Sequence, residues 1–167
     1  ISEDKNNEKI ELLDIGTGSG CIPISLSLQN TRIKASALDI SLEALLIADK
    51  NARKLGAYVS YMQADILQTD VIPKVDIIVS NPPYVRDLEK VEIQANVLDY
   101  EPHTALFVPD HDPLLFYKKI TELAEHYLDK GGYLFFEINQ YLADEMVEMM
   151  TSHTFTNIEI KKDMQGN

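Results

Sequence analysis

The chain reads as an α/β protein: a doubly wound, mostly parallel sheet with helices on both faces. Three observations predict it. Short apolar runs alternate with stretches of helical periodicity along the whole sequence. A glycine-rich turn, Gly16-Thr17-Gly18-Ser19-Gly20, stands where the first strand gives way to the first helix. The run Val75-Asp76-Ile77-Ile78-Val79-Ser80 ends in Asn81-Pro82-Pro83-Tyr84, a stiff strand exit. Strands joined through helices run parallel, and in such sheets ligands bind beyond the carboxyl ends of the strands.

The elements follow in order. Residues 9–15 form a first strand ended by glycines, and residues 21–29 a helix in which Pro23 fits only near the first turn. Residues 32–38 form a second strand ending at Asp39, and Ser41 suits the N-cap of the next helix. That helix buries Leu45, Ala48, Ala52 and Leu55 and stops at Gly56. Residues 58–62 and 75–80 are the third and fourth strands. Residues 85–112 read as a long irregular connection, the kind that often contacts substrate. A helix near 113–129 buries Phe116, Ile120, Leu123, Ala124 and Tyr127. Gly131-Gly132 then turns into a strand over 133–138. A helix carrying Leu142, Met146, Met149 and Met150 follows, with the methionines as core filler, and then a strand over 156–160.

With 167 residues the chain is long enough for one domain with a real core. No apolar stretch approaches a membrane span and no signal-peptide pattern opens it. Cys21 is the only cysteine, so no internal disulfide forms; a cytoplasmic location is expected. The formal net charge of -12 repels phosphate backbones and makes a nucleic-acid partner unlikely. His103, His111, His126 and His153 show no metal-ligand spacing, so no metal is expected. Oligomeric state is not readable from the sequence.

The glycine turn points to a nucleoside-bearing cofactor. Glycines 16, 18 and 20 let the backbone turn sharply and let a ligand approach without Cβ clashes. A nicotinamide enzyme shows Gly-x-Gly-x-x-Gly, but Cys21 occupies the third glycine position here, which favours S-adenosylmethionine, a cofactor with no pyrophosphate. Asp39 ends the second strand, where a carboxylate accepts from both ribose hydroxyls. Asp65 is placed to accept from the adenine amino group, with Ile66 against the ring, and Asp14 to orient the turn or meet the methionine ammonium.

Asn81-Pro82-Pro83-Tyr84 supplies the other half. Two successive prolines fix φ and remove two donors but leave their carbonyls free. The Asn81 side-chain oxygen and the Pro82 carbonyl can each accept one proton of an NH2 group, while Tyr84 packs over it. Beside a methyl donor, that arrangement points to methylation of an amino or amide nitrogen, with Asn81, Pro82 and Tyr84 as the catalytic candidates.

The flanking segments carry a resemblance. The cofactor turn with its preceding Asp14-Ile15, Asp39-Ile40-Ser41, Asn81-Pro82-Pro83-Tyr84 and Tyr100-Glu101-Pro102 occur in that order. Ala105-Leu106, Leu115-Phe116-Tyr117, Glu137-Ile138-Asn139-Gln140 and Asp163-Met164-Gln165-Gly166 follow. Together they resemble the class I methyltransferases, Rossmann-like enzymes, that modify the glutamine of the Gly-Gly-Gln motif in peptide-chain release factors. The adenine-N6 methyltransferases of DNA share Asn-Pro-Pro-Tyr but match the other segments less well; a non-catalytic binding module on the same fold is a third reading.

The resemblance implies a seven-stranded sheet and S-adenosylmethionine held by Asp14, Gly16, Thr17, Gly18, Ser19, Gly20, Asp39, Ile40, Asp65, Ile66 and Asn81. It implies a substrate glutamine held by Asn81, Pro82, Pro83 and Tyr84, with Glu101 in a supporting role and release factors as the protein partners. It further implies that residues 1–167 are the catalytic domain, without the family's helical N-terminal docking domain and its last strand. Pro113 and Asn139 stand where the family often has glycine.

Overall fold

The computed structural model describes residues 8–83, 85–86, 107–109 and 111–162. Tyr84, Glu101, the segments 100–102 and 105–106, and the segment 163–166 lie outside the described residues. The chain forms two compact units, Ile1–Asn81 with His126–Phe136, and Pro82–Glu125 with Glu137–Asn167.

The first unit holds a five-stranded sheet built from β1 (Ile10–Ile15), β2 (Ile33–Asp39), β3 (Val59–Gln63), β4 (Val75–Ser80) and β7 (Leu128–Phe136). Its order is β3-β2-β1-β4-β7, and every pair is parallel. Strand β1 lies between β2 and β4, so the order reverses there, and the crevice of an open α/β sheet opens at that reversal. Leu12, Leu13, Asp14 and Ile15 are buried in succession rather than alternately, the mark of a strand covered on both faces.

Helix α1 (Cys21–Gln29) packs on β1 and β2, and α2 (Leu42–Leu55) on β2 and β3. In α1 the Ile24 N–H makes the first helical bond, to the Gly20 carbonyl at 3.1 Å. Pro23 therefore stands where a missing N–H costs nothing. In α2 the Ser41 hydroxyl accepts from the Ala44 N–H at 3.2 Å, and Gly56 at φ 74 ends the helix. Leu45, Ala48 and Ala52 are buried as the spacing predicts, but Leu55 is 58% exposed. Periodicity assigns a face; it does not say where a helix runs past its cover.

Strand β7 corrects the expected turn at Gly131-Gly132. It begins at Leu128, directly after the preceding helix, and the glycines lie inside it. The register with β4 slips between Val75 and Ile77, and Gly131 takes φ 81 at that irregularity. A Cβ on Gly132 would come within 2.6 Å of the Asp76 carbonyl oxygen, so only glycine lets the two backbones approach this closely.

The second unit contains most of α3 (Leu115–Tyr127), α4 (Ala143–Ser152) and a short parallel pair, β5 (Val85–Arg86) with β6 (Phe107–Val108). The connection expected to be irregular thus carries a two-strand ladder. Helix α3 buries Tyr117, Ile120, Thr121, Leu123 and Ala124, whereas Phe116 and Tyr127 are half-buried. Tyr117 donates to the Glu137 carbonyl at 3.0 Å. Leu142, Met146, Met149 and Met150 are buried, with Met150 Sδ accepting from the Thr121 hydroxyl at 3.6 Å, so the methionines fill a core. Residues 156–160 do not form the expected strand. Asn157 takes φ 57, a left-handed conformation that interrupts an extended run, and Ile160 is exposed.

Candidate functional site

The site lies at the carboxyl ends of β1, β2 and β4. Each strand contributes the residues that leave its last ladder position. From β1 comes the turn at 16–20, in which Gly16, Gly18 and Gly20 all have positive φ (74, 55 and 81). Only glycine takes three such conformations in so short a span at low cost. The turn is tied to β2: the N–H groups of Gly16 and Thr17 both donate to the Leu38 carbonyl, at 2.8 and 3.2 Å.

Asp39 closes the same junction from the other side. Its Oδ2 accepts from the Gly18 N–H at 2.8 Å and its Oδ1 from the Ser41 N–H at 2.9 Å. One carboxylate thus organises both the glycine turn and the start of α2. Each carboxylate oxygen has two acceptor sites, so both retain one for an incoming hydroxyl. Ile40 beside it is 59% exposed, an apolar side chain available to a ligand.

Asp14 is 1% exposed at the end of β1. Its Oδ2 accepts from the Thr17 hydroxyl at 2.6 Å, while its Oδ1 has no partner among the described residues. Burial pushes its carboxyl up to about 6, the Thr17 hydrogen bond opposes the rise, and the Asp39 charge adds to it. Of the two roles expected for Asp14, orienting the turn or meeting an ammonium, the contact seen is with the turn, through the Thr17 hydroxyl, while Asp39 accepts from the Gly18 amide. An orphaned, buried carboxylate oxygen beside a second carboxylate suits a cationic group of a ligand.

Asp65 follows β3. Its side chain accepts from the Leu67 N–H at 2.9 Å and caps the short 3-10 turn Ile66–Gln68. Ile66 is 7% exposed, so its side chain belongs mainly to the core.

Asn81 leaves β4 next to the glycine turn. A Cβ on Gly16 would sit 3.7 Å from the Asn81 carbonyl oxygen, and the Ser80 hydroxyl donates to the Ile15 carbonyl at 2.7 Å. The Asn81 residue is exposed, Pro82 is buried and Pro83 half-buried. The first unit therefore brings together Asp14, the turn at 16–20, Asp39 and Asn81. Asp65 and Ile66 lie beyond the end of β3, two strands from β1.

Two residues that the sequence reading missed support this frame. Asn51 on α2 donates to the Ser19 carbonyl at 3.0 Å, and Gln63 at the end of β3 donates to the Ile40 carbonyl at 3.2 Å. The signal for Asn51 was present: it is a polar residue beside the buried stripe of Leu45, Ala48 and Ala52. Asn139 is 9% exposed and caps the turn Gln140–Leu142 by accepting from the Tyr141 N–H at 3.0 Å.

The residues present fit a ligand with paired hydroxyls and a cationic end, as S-adenosylmethionine has. Comparison with known proteins places the chain among methyltransferases. The chain is 54% identical to a release factor glutamine methyltransferase of Flavobacterium psychrophilum, over 100% of this chain and 58% of that protein. It is 49% identical to the protein of the same name from Bacteroides thetaiotaomicron, over 97% of this chain and 59% of the relative. The chain thus spans under three-fifths of the length of these curated relatives. The solved ribosomal protein L11 methylase of Lactobacillus delbrueckii subsp. bulgaricus superposes with a TM-score of 0.64 at 21% identity, covering 93% of this chain and 66% of that one. That likeness shows the fold, the Rossmann-like α/β fold of class I methyltransferases. Residues 2–102, which carry the glycine turn, Asp39 and Asn81, match the model of the methyltransferase small domain, and the chain belongs to that family.

Proposed function

We propose that this chain is the catalytic part of an enzyme that methylates the side-chain amide nitrogen of the glutamine in the Gly-Gly-Gln motif of peptide-chain release factors. The observation that carries the reading is the meeting of Gly16 with the Asn81 carbonyl, 3.7 Å from where a Cβ would stand, at the point where the strand order reverses. In this reading the glycine turn and the Asn81 strand exit serve one site. The names of the relatives from Flavobacterium psychrophilum and Bacteroides thetaiotaomicron support the glutamine as acceptor. A cytoplasmic location fits that substrate, and no helix among the described residues is long and apolar enough to cross a membrane.

S-adenosylmethionine supplies an electrophilic methyl group when bound. In this reading Asp39 accepts from the ribose hydroxyls with its two remaining acceptor sites, and the free Oδ1 of Asp14 faces the ammonium. Gly16, Thr17, Gly18, Ser19 and Gly20 line the approach, Ile40 packs on the nucleoside, and Asp65 with Ile66 meets the adenine. Asn81 accepts one amide proton of the substrate through its side-chain oxygen, and the Pro82 carbonyl accepts the other. Pro83 stiffens the platform and Tyr84 covers the planar amide. An amide nitrogen is a poor nucleophile, so the site acts by holding both protons and by accepting the positive charge that develops on nitrogen. Methyl transfer would form the N–CH3 bond as the S–CH3 bond of the sulfonium breaks, its electron pair remaining on the departing thioether sulfur, while the nitrogen releases one proton to solvent; no strong base is needed beforehand.

The test is transfer of labelled methyl from S-adenosylmethionine by the full-length protein, offered a release factor and an adenine-containing duplex in parallel. Label on the release-factor glutamine supports the reading. Label on adenine alone replaces it with the adenine-N6 alternative. Failure of calorimetry to detect cofactor binding would leave the non-catalytic module.

A further inference from the structure

The glycine turn is gripped from α2 as well as from β2. Asn51 on α2 is half-buried and donates its Nδ2 hydrogen to the Ser19 carbonyl at 3.0 Å. One turn earlier, the fully buried Ala48 leaves no room for a side chain on Gly20, since a Cβ there would sit 3.0 Å from the Ala48 Cβ. Residues three apart share a helix face, so both contacts come from one side of α2.

These contacts matter because the turn is soft. Ser19 is flanked by Gly18 and Gly20, both at positive φ (55 and 81). Glycine on each side leaves the peptide planes around Ser19 nearly free to rotate. The Ser19–Gly20 peptide is nevertheless held at both ends. Its carbonyl takes the Asn51 hydrogen, and its N–H donates to the Thr17 carbonyl at 3.0 Å. Asp39 accepts from the Gly18 N–H, two peptides earlier, at 2.8 Å.

We propose that Asn51 is a positioning residue for the cofactor. Its amide selects one orientation of the Ser19 peptide, so that the turn offers a single arrangement of backbone donors instead of several. The proposal rests on the reading of this turn as the S-adenosylmethionine site. Asn51 touches neither cofactor nor substrate; it acts through Ser19.

The test uses full-length protein carrying Asn51→Asp, which keeps the shape but replaces the donor with a second acceptor, and Asn51→Ala. Both should raise the calorimetric Kd for S-adenosylmethionine about tenfold, the loss of one net hydrogen bond. The kcat at saturating cofactor and the KM for the release factor should stay within about twofold, a split that a general loss of structure does not produce. Lys50→Ala, on the exposed face of the same helix, should change neither. Hydrogen exchange of the amides at 16–20, measured without cofactor, should quicken in Asn51→Asp while that of α2 does not. Wild-type affinity in both Asn51 variants overturns the proposal. Should the wild-type protein itself bind no cofactor, the reading of the turn falls, and the exchange experiment still decides the lock: unchanged exchange at 16–20 in Asn51→Asp rejects it.

Discussion

A buried carboxylate with one unsatisfied oxygen is a cost that folding has to bear. Asp14 is that residue: its Oδ1 lacks a partner among the described residues, and its carboxyl rises from 3.8 to about 6, chiefly through burial. A raised pKa means that the folded state binds the proton more tightly than the unfolded chain. The favourable contribution is therefore complete below 3.8 and is lost as pH rises through about 6. The shift corresponds to about 3 kcal/mol. Asp14→Asn removes the ionisation and keeps an acceptor for Thr17. The variant's stability relative to wild type, from urea melts, should rise between pH 4 and 7 by about 2 to 3 kcal/mol. A relative stability that is flat across that window would mean Asp14 ionises freely. If Asp14 also faces the cofactor ammonium, wild-type affinity for S-adenosylmethionine should fall as pH drops through about 6, and the Asn variant should lose that dependence.

Asn81 belongs to the same scale but to the other partner. The residue is exposed and stands before two prolines. Asn81→Ala removes one of two acceptors for the reacting NH2 and should lower kcat by about a hundredfold or more. The cofactor Kd should move far less. Near-normal turnover in single-turnover assays would remove Asn81 from the chemistry.

Between elements, the decisive contact is the one between α1, α2 and the turn that joins β1 to α1. Gly20 stands at φ 81, and a Cβ there would meet Ile24 Cδ1 at 2.9 Å and Ala48 Cβ at 3.0 Å. Gly20→Ala combines a disfavoured backbone conformation with overpacking and should destabilise the protein by about 2 to 4 kcal/mol. Gly18→Ala has open space around its Cβ and bears only the backbone term, so it should cost less. Thermal melts of the two variants test that ranking; equal losses would mean that packing against Ala48 contributes nothing.

The same scale shows what a reader of the sequence can recover. The bounds of α1 and β4, the Ser41 cap and the Gly56 stop were legible because each rests on local chemistry: a fixed φ, a hydroxyl one turn ahead, a left-handed exit. The glycine run in β7 was not. A Gly-Gly pair signals a turn unless the neighbouring strand is known to need a close approach, and here the Asp76 carbonyl imposes one. Residues 156–160 alternate like a strand, yet a strand exists only where a partner supplies the ladder. In the site, Asp39 and the glycines were legible from spacing. Their division of labour was not, since the Gly18 N–H meets Asp39 through the pairing of β1 with β2, and Asn51 meets the Ser19 carbonyl through the packing of α2.

At the scale of the whole molecule, charge bears on the choice between the two nitrogen acceptors. Glutamine amides and adenine amino groups present the same planar NH2, so an Asn-Pro-Pro-Tyr exit cannot separate them by itself. A formal charge of -12 weighs for the amide. A DNA duplex carries one phosphate per about 1.7 Å of axis, and proteins that bind it release counterions by presenting Lys and Arg. With Asp and Glu at 27 against Lys and Arg at 15, this chain contributes repulsion instead. Repulsion and attraction respond to salt in opposite directions, because screening weakens both. Fluorescence anisotropy of a labelled duplex, titrated with the full-length protein, should therefore show no binding below about 10 μM at either 50 or 200 mM salt; a nonspecific DNA-binding protein would bind more tightly at the lower. Binding that strengthens as salt is withdrawn would reveal a basic face elsewhere on the full-length protein. Adenine would then return as the better candidate for the amide clamp at Asn81.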